Sequence, residues 1–356
     1  MLKLLGSITD NFERSAKKRY FKILKPYAVE FNMRLLTRSD FDGLVCAAIL
    51  KGLRIVNEIC YVHPKDVQDN KIKATENDVI ANLPYVEGCG MWFDHHSSEV
   101  ERLKLKGKFV GAIEPFDSAA RVVFNYFRAR KPYSQIVQKF EELVKIADIV
   151  DSAKFTKTDI MNPQGWIMLA FISDPRSNFG KKHTFRVSNL ELLKTLPDLL
   201  CSSAVDGILA MPDFKERINA YKKDIKAYKK ILLENATVAG QAILIDFLEI
   251  ENIPIGNRFL EYVLYPEQNI SVRAVDGKNK QFVTISLGHS IINRTSDVDV
   301  GHLTLRYGGG GHKRVGACQV SYEDANKIIQ EILQVINNGQ SKSTNLSRRA
   351  GFLKYP

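Results

Sequence analysis

Asp94, His95 and His96 stand in a row in "MWFDHHSS", directly after a run of apolar residues. A surface loop can carry such a triple by accident. Carboxylate and imidazole together also suit Mn²⁺, Zn²⁺ or Fe²⁺ better than the all-oxygen shells of Mg²⁺ or Ca²⁺. Upstream, "SDFDG" sets Asp40 and Asp42 two apart, and Gly43 permits a tight turn into the following helix. That spacing can aim two carboxylates at neighbouring cations. Asn82 follows "DVIA", and Asp148 and Asp151 fall in "ADIVD". Hydrolysis of a phosphate ester needs such a cation, which stabilises the equatorial oxygens and lowers the pKa of the attacking water.

The elements around these residues must bring them together. "MRLLT" (33 to 37) reads as a strand and "GLVCAAILKGL" (43 to 53) as a helix packed on it. "EICYVHP", "NDVIANLP", "GCGMWFDHH" and "KFVGAIEP" are further short apolar runs bounded by Pro, Gly or polar residues. "DSAARVVFNYFRAR" is a helix that Asp117 or Ser118 can cap. Alternating strands and helices imply an α/β fold with a mostly parallel sheet, covered on both faces. In such sheets ligands bind outside the carboxyl ends of the strands, where the acids, the amide and the imidazoles follow their apolar runs.

After a mostly helical stretch the character changes. "TVAGQAILIDF", "NISVRAVDG" and "QFVTISLGHS" read as strands and "YEDANKIIQEILQVINN" as an amphipathic helix. The expected organisation is an α/β domain over 1–195 that includes a basic N-terminal helix, then a helical connector over 196–238. A smaller α+β domain over 239–340 and a basic, mobile tail over 341–356 complete it.

The 356 residues suffice for two domains, and no apolar run approaches the roughly 18–20 residues a membrane span needs. Five cysteines without a Cys-x-x-Cys pair argue for a reducing, cytoplasmic setting and against a zinc knuckle. The net charge of +11 gathers in the N-terminal helix, in residues 215 to 235 and in the tail. Each run alone is accounted for by a solvated face; together they raise the expectation of a polyanionic partner, nucleic acid or polyphosphate. In "RYGGGGHKRVGA", four glycines precede His312, and such a run lets backbone N–H groups approach an anion while His312, Lys313 and Arg314 add charge.

"SDFDG", "FDHH", "ADIVD" and, far downstream, "YGGGGHKRVGA" occur in the order found in DHH phosphoesterases with a DHH-associated C-terminal domain, and the chain resembles that family from about residue 33 to 320. The resemblance implies a Mn²⁺-dependent or Mg²⁺-dependent phosphohydrolase, of the RecJ-like exonuclease, oligoribonuclease, cyclic-dinucleotide phosphodiesterase or exopolyphosphatase kind. Carried over by position, Asp40 binds a first metal. Asp42, His95 and the fourth-motif aspartate, Asp148 ahead of Asp151, bind a second, and His96 contacts the phosphate. Gly309, Gly310, Gly311, His312 and Arg314 then hold the nucleotide end of the substrate.

Three positions depart from the family pattern. Leu36 stands where many members have a histidine, and Asn82 where an aspartate bridges two metals. "SLGHS" puts Gly288 and His289 where an "SLRS"-like strand supplies an arginine, which Arg294 could replace. An amide oxygen coordinates a cation less strongly than a carboxylate. The expectation is therefore one well-held metal, with Arg38 supplying part of the missing positive charge or simply pairing with Asp40 or Asp94. The reading is a metal-dependent phosphoesterase, with its active site in the cleft between domains, acting on short single-stranded oligonucleotides. Inorganic polyphosphate and cyclic dinucleotides rank behind. Its rival is a nucleic-acid-binding protein on a degenerate fold, for which Leu36 and Asn82 are the evidence; either could work as a dimer.

Overall fold

The structure, a computed structural model, describes residues 32–96, 99, 109–175 and 182–338. The expected N-terminal helix and basic tail lie outside the described residues. The chain divides into two compact units. One runs to Asp151 and takes in Leu193–Ser203; the other holds Ser152–Leu192 and the chain from Ala204 on. The first break thus falls after Asp151, earlier than a boundary near residue 195.

In the first unit, β1 (Met33–Thr37), β2 (Val56–Tyr61), β3 (Asp78–Ala81), β4 (Met91–Asp94) and β5 (Gly111–Ile113) form one sheet in the order β2-β1-β3-β4-β5. Every neighbouring pair is parallel. All four residues of β3 are buried, as expected for a parallel strand covered on both faces. Helix α1 (Phe41–Gly52) follows β1 and packs on β1 and β2 and against α2 (Ala119–Arg128) and α3 (Glu141–Asp151). Its buried residues run without a break from Phe41 to Leu50, so α1 is a core helix.

Two details tie this frame to the polar clusters. β1 has β2 on one side and β3 on the other, so the strand order reverses there, which makes its carboxyl end the switch point of the sheet. A Cβ on Gly43 would lie 2.1 Å from the Arg38 carbonyl oxygen. Only glycine lets α1 start so close to the end of β1, which is the tight turn expected from "SDFDG".

The second unit holds a six-stranded sheet of β6 (Ala236–Ala239), β7 (Ala242–Phe247), β8 (Ile270–Asp276), β9 (Val283–His289), β10 (Gly310–His312) and β11 (Val315–Val320). The order is β10-β11-β9-β8-β7-β6, and only β7 and β8 run parallel. "TVAGQAILIDF" is a hairpin rather than one strand, because the chain reverses at Gly240 in the left-handed region (φ +64°). The Lys-rich helix α4 (Pro212–Glu234) buries Phe214, Tyr221, Tyr228 and Leu232 and exposes Lys222 and Lys226. The short helix α5 (Val300–Leu305) precedes the glycine run, and α6 (Tyr322–Asn337) lays Ala325, Ile329, Ile332 and Ile336 on the core of the sheet. No helix among the described residues is long and apolar enough to cross a membrane.

Candidate metal centre

The carboxyl ends of β1, β3 and β4 deliver Asp40, Asn82 and Asp94–His96 to one edge of the first sheet, and Asp42 opens α1 beside them. Asp42 is almost fully buried, and its Oδ2 and Oδ1 accept from the amides of Ala119 (2.9 Å) and Ala120 (2.8 Å). Asp42 therefore faces the amino end of α2, where free amides and the helix dipole favour an anion.

His95 is set for coordination by its other nitrogen. Nδ1 lies 3.0 Å from the Phe116 carbonyl oxygen, which can only accept, so the ring donates from Nδ1. That leaves Nε2 turned into the site, buried and without a hydrogen-bond partner among the described residues. Nε2 is 3.4 Å from Asp151 Oδ2 and 4.0 Å from Asp42 Oδ2. Asp42, His95 and Asp151 each offer one ligand atom within 4.8 Å of the others. Ligands bound at about 2.0–2.3 Å to a shared ion lie roughly 3–4 Å apart, so the set is spaced for one cation. Asp94, His95 and His96 form a second group within the same limit.

The two candidates for the fourth-motif acid have different neighbours. Asp148 is occupied: Ser118 Oγ donates to its Oδ1 at 2.7 Å, and Arg121 Nε donates to its Oδ2 at 2.9 Å. Asp151, three residues on, is the aspartate that reaches His95. Ser118 is the cap of α2, accepting from the Arg121 amide at 3.0 Å, so the Asp148 contacts pin α3 to the start of α2.

Asp40 is also held by the protein. It caps α1 by accepting from the Gly43 amide at 3.1 Å, Asn82 Nδ2 donates to its Oδ1 at 3.0 Å, and Arg38 Nε lies 2.9 Å from its Oδ2. Of the two pairings open to Arg38, the one with Asp40 forms. Asn82 has φ +56°, a left-handed conformation that asparagine tolerates better than most residues. Leu36 lies in the apolar layer with Val62, Ile80, Leu83 and Trp92 and offers no donor.

Asp94 Oδ1 accepts from the His95 amide at 2.9 Å and lies 2.8 Å from His96 Nδ1. Burial disfavours the charged His96 ring, but the hydrogen bond and the Asp94 charge outweigh it and raise its pKa above the usual histidine value. His96 thus has a fixed partner on one nitrogen. Asp94 as its anchor, and Phe116 as the anchor of His95, are roles the sequence did not disclose; a backbone carbonyl leaves no mark in residue types.

Four buried side-chain atoms at this edge, Thr37 Oγ1, Asn82 Oδ1, Asp94 Oδ2 and His95 Nε2, have no hydrogen-bond partner among the described residues, and Asp40 Oδ2 has only its ion pair with Arg38. The Asn82 and Asp94 oxygens can only accept, and Thr37 Oγ1 can do so, so a positive charge would satisfy what is missing. Burial, then the charges of Asp151 and Asp40, push the Asp42 carboxyl well above the usual carboxylate range, against the pull of the two α2 amides. Asp151 is also raised, chiefly by burial and by Asp40, although His95 lowers it. The residues present fit a bound divalent cation.

The sign of these shifts gives a prediction. Both carboxyls hold protons more tightly folded than unfolded, so they cost the metal-free protein stability as pH rises above the ordinary carboxylate pKa of about 4. A divalent cation bound there, such as Mn²⁺, would replace those protons. At free Mn²⁺ about 100 times its dissociation constant, stabilisation is about 2.7 kcal/mol, or roughly 5–10 °C for a unit of this size. The expected result in a thermal melt is a shift of that order at pH 7.5 and a much smaller one at pH 5. Equal shifts at both pH values would separate the effect from these carboxyls.

In the second unit the glycine run becomes β10 and pairs with β11, Gly310 opposite Ala317 and His312 opposite Val315. A Cβ at Gly309 would lie 2.1 Å from the Ala317 carbonyl oxygen, whereas one at Gly310 would meet nothing within 4 Å. Gly311 has φ +156°. The Gly308 and Gly309 amides close helix α5 by donating to Leu305 and Thr304 carbonyls, so they do not face an anion. His312, Lys313 and Arg314 are exposed at the hairpin tip. His289 Nε2 lies 2.8 Å from the Val298 carbonyl oxygen, and Arg294 donates to the carbonyls of Ile291 and Ala153. Gly288 has no room for a side chain: its Cβ would lie 2.7 Å from the Tyr262 hydroxyl, which pairs with Ser271 Oγ at 2.8 Å.

No family model matches the chain, and no curated protein matches it. Among solved structures, a pGpG-specific phosphodiesterase, PggH from Vibrio cholerae, is 38% identical with a TM-score of 0.75, covering 86% of this chain and 100% of that one. The chain belongs to the DHH family of phosphoesterases. RecJ from Thermus thermophilus in complex with Mn²⁺ is 14% identical with a TM-score of 0.49, covering 91% of this chain and 55% of that one. The DHH domain of the S1p-family protein PF0399 is 13% identical with a TM-score of 0.49, over 95% and 100%. At that distance neither bears on the site of this DHH phosphoesterase.

Proposed function

We propose that this chain is a single-metal phosphodiesterase that hydrolyses short linear oligonucleotides, with Asp42, His95 and Asp151 holding one Mn²⁺. The observation that carries the metal is His95: its Nδ1 is committed to a carbonyl, and its Nε2 stands bare between two carboxylates. An imidazole nitrogen and two carboxylates gathered this closely are an arrangement that a shared cation satisfies. An imidazole nitrogen with carboxylates suits Mn²⁺ better than Mg²⁺. Bound there, the ion would supply a Lewis-acidic charge for the scissile phosphate and the attacking water.

The chain's own residues do the rest. Asp42 is aligned by the two α2 amides, and His95 by the Phe116 carbonyl, so neither ligand needs to reorganise. His96, raised in pKa and anchored through Nδ1, can donate from Nε2 to a phosphate oxygen. Short oligonucleotides come first among substrates because the protein 38% identical to this chain is described as pGpG-specific, and pGpG is a linear dinucleotide. The net charge of +11 agrees with a polyanionic substrate.

The test is a panel of pGpG, pApA, longer single-stranded RNA, a cyclic dinucleotide and polyphosphate, each with Mn²⁺, Mg²⁺ or chelator. The expected result is fastest turnover of a 5′-phosphorylated dinucleotide with Mn²⁺ and none with chelator. Turnover of polyphosphate or of the cyclic dinucleotide ahead of every linear one would replace the substrate assignment. Hydrolysis surviving chelation would remove the metal.

A further inference from the structure

Asp40 differs from the acids around the proposed ion. Asp42 and Asp151 are gathered on His95 Nε2, and no lysine or arginine among the described residues pairs with either. Asp40 already has its counter-ion: Arg38 Nε is 2.9 Å from Oδ2, while Oδ1 accepts from Asn82 Nδ2 and the Gly43 amide. Arg38 is only partly buried, with 28% of its side chain exposed, and neither of its Nη groups is in a hydrogen bond with a described residue. A guanidinium held by Nε keeps its outer edge free, and that edge matches two oxygens of one phosphate.

We propose that Arg38 is a fixed cation built into the site: it takes up the Asp40 carboxylate in place of a second metal ion and presents its Nη groups to the substrate phosphate. Asn82 is the positioning residue of this device. Its amide nitrogen holds Asp40 Oδ1, and being neutral it adds no charge that would draw a further ion. A divalent cation at Asp40 would have to displace the guanidinium or sit beside it, and like charges a few ångströms apart in a water-poor site repel strongly. Leu36, turned into the apolar layer, adds no ligand there. The proposal rests on the single-metal reading above and adds the agent that limits the count and binds the phosphate.

The experiment uses the full chain and combines Mn²⁺ titration by calorimetry with steady-state hydrolysis of pGpG. The unmodified protein is expected to bind one Mn²⁺. Arg38→Gln is expected to keep that one ion with affinity within about threefold, which also shows that the site has folded, and to raise KM at least tenfold. Arg38→Lys should recover part of that loss, since lysine restores charge but not the fork. Arg38→Gln/Asn82→Asp, which removes the fixed cation and adds a carboxylate, is expected to bind two Mn²⁺. Two ions in the unmodified protein would overturn this inference while leaving the metal-dependent activity standing, as would an Arg38→Gln variant with unchanged KM. One ion in the double variant would overturn the part assigned to charge. No bound Mn²⁺ in the unmodified protein would overturn the metal reading and this inference with it.

Discussion

Asp151→Asn is expected to lower turnover by about 10³-fold or more, and Asp148→Asn to leave it within about threefold. The two acids are three residues apart on one helix, yet their partners separate them. Asp151 Oδ2 is 3.4 Å from the bare His95 Nε2, whereas the Asp148 oxygens are taken by Ser118 and Arg121. Removing a carboxylate ligand removes several kcal/mol of transition-state charge stabilisation, and each 1.4 kcal/mol is tenfold in rate. Asp148→Asn acts on stability instead. It leaves the Arg121 guanidinium without its anion and loosens α3 from the cap of α2, at a cost of about 1–2 kcal/mol, below that of a fully buried pair because both side chains are 17% exposed. Steady-state rates with Mn²⁺ and urea unfolding of both variants check the pair of outcomes. An inactive Asp148→Asn beside an active Asp151→Asn would reverse the ligand assignment.

The second large effect is at Asp42. Asp42→Asn is expected to lower turnover by about 10³-fold or more and to weaken Mn²⁺ binding by at least 100-fold, because a neutral amide replaces the most deeply buried carboxylate of the set. Asparagine keeps one oxygen for the Ala119 or Ala120 amide. Asp42→Ala keeps none and leaves two buried helix amides unpaired, which adds a folding cost of about 1–3 kcal/mol for each amide that water does not reach. Turnover and Mn²⁺ titration on Asp42→Asn, with unfolding on both variants, separate the roles. Full activity in Asp42→Asn would remove the ion from this position.

Much of this was readable from residue order. The apolar runs ending in "RSD", Asn82 and "DHH" are strands whose carboxyl ends meet at the switch point, because β1 lies between β2 and β3. Gly43 told of a tight turn for the reason the structure shows, a contact that no Cβ permits. The order of the four motifs gave the family.

What stayed hidden depended on contacts between distant segments. On α3, Asp151 continues the row of Leu143 and Ala147, and Asp148 continues from Val144. Helical periodicity makes both rows inward-facing, and only the position of Arg121 on α2 decides which acid is consumed. Arg38 had two carboxylates within reach in sequence terms, and the backbone path out of β1 selects Asp40. Gly288 read as a lost arginine; the Tyr262 hydroxyl, from a helix 26 residues earlier, fills the space a side chain would need.

Anomalous diffraction from crystals soaked in Mn²⁺ tests the central claim most directly, since it gives the number of ions and their ligands together. The predicted result is one fully occupied site with Asp42, His95 Nε2 and Asp151 each at about 2.0–2.3 Å, and Asp148 still bound to Arg121. Two fully occupied ions, or one ion coordinated by Asp148 or by Asp40 in place of Asp151, would contradict it.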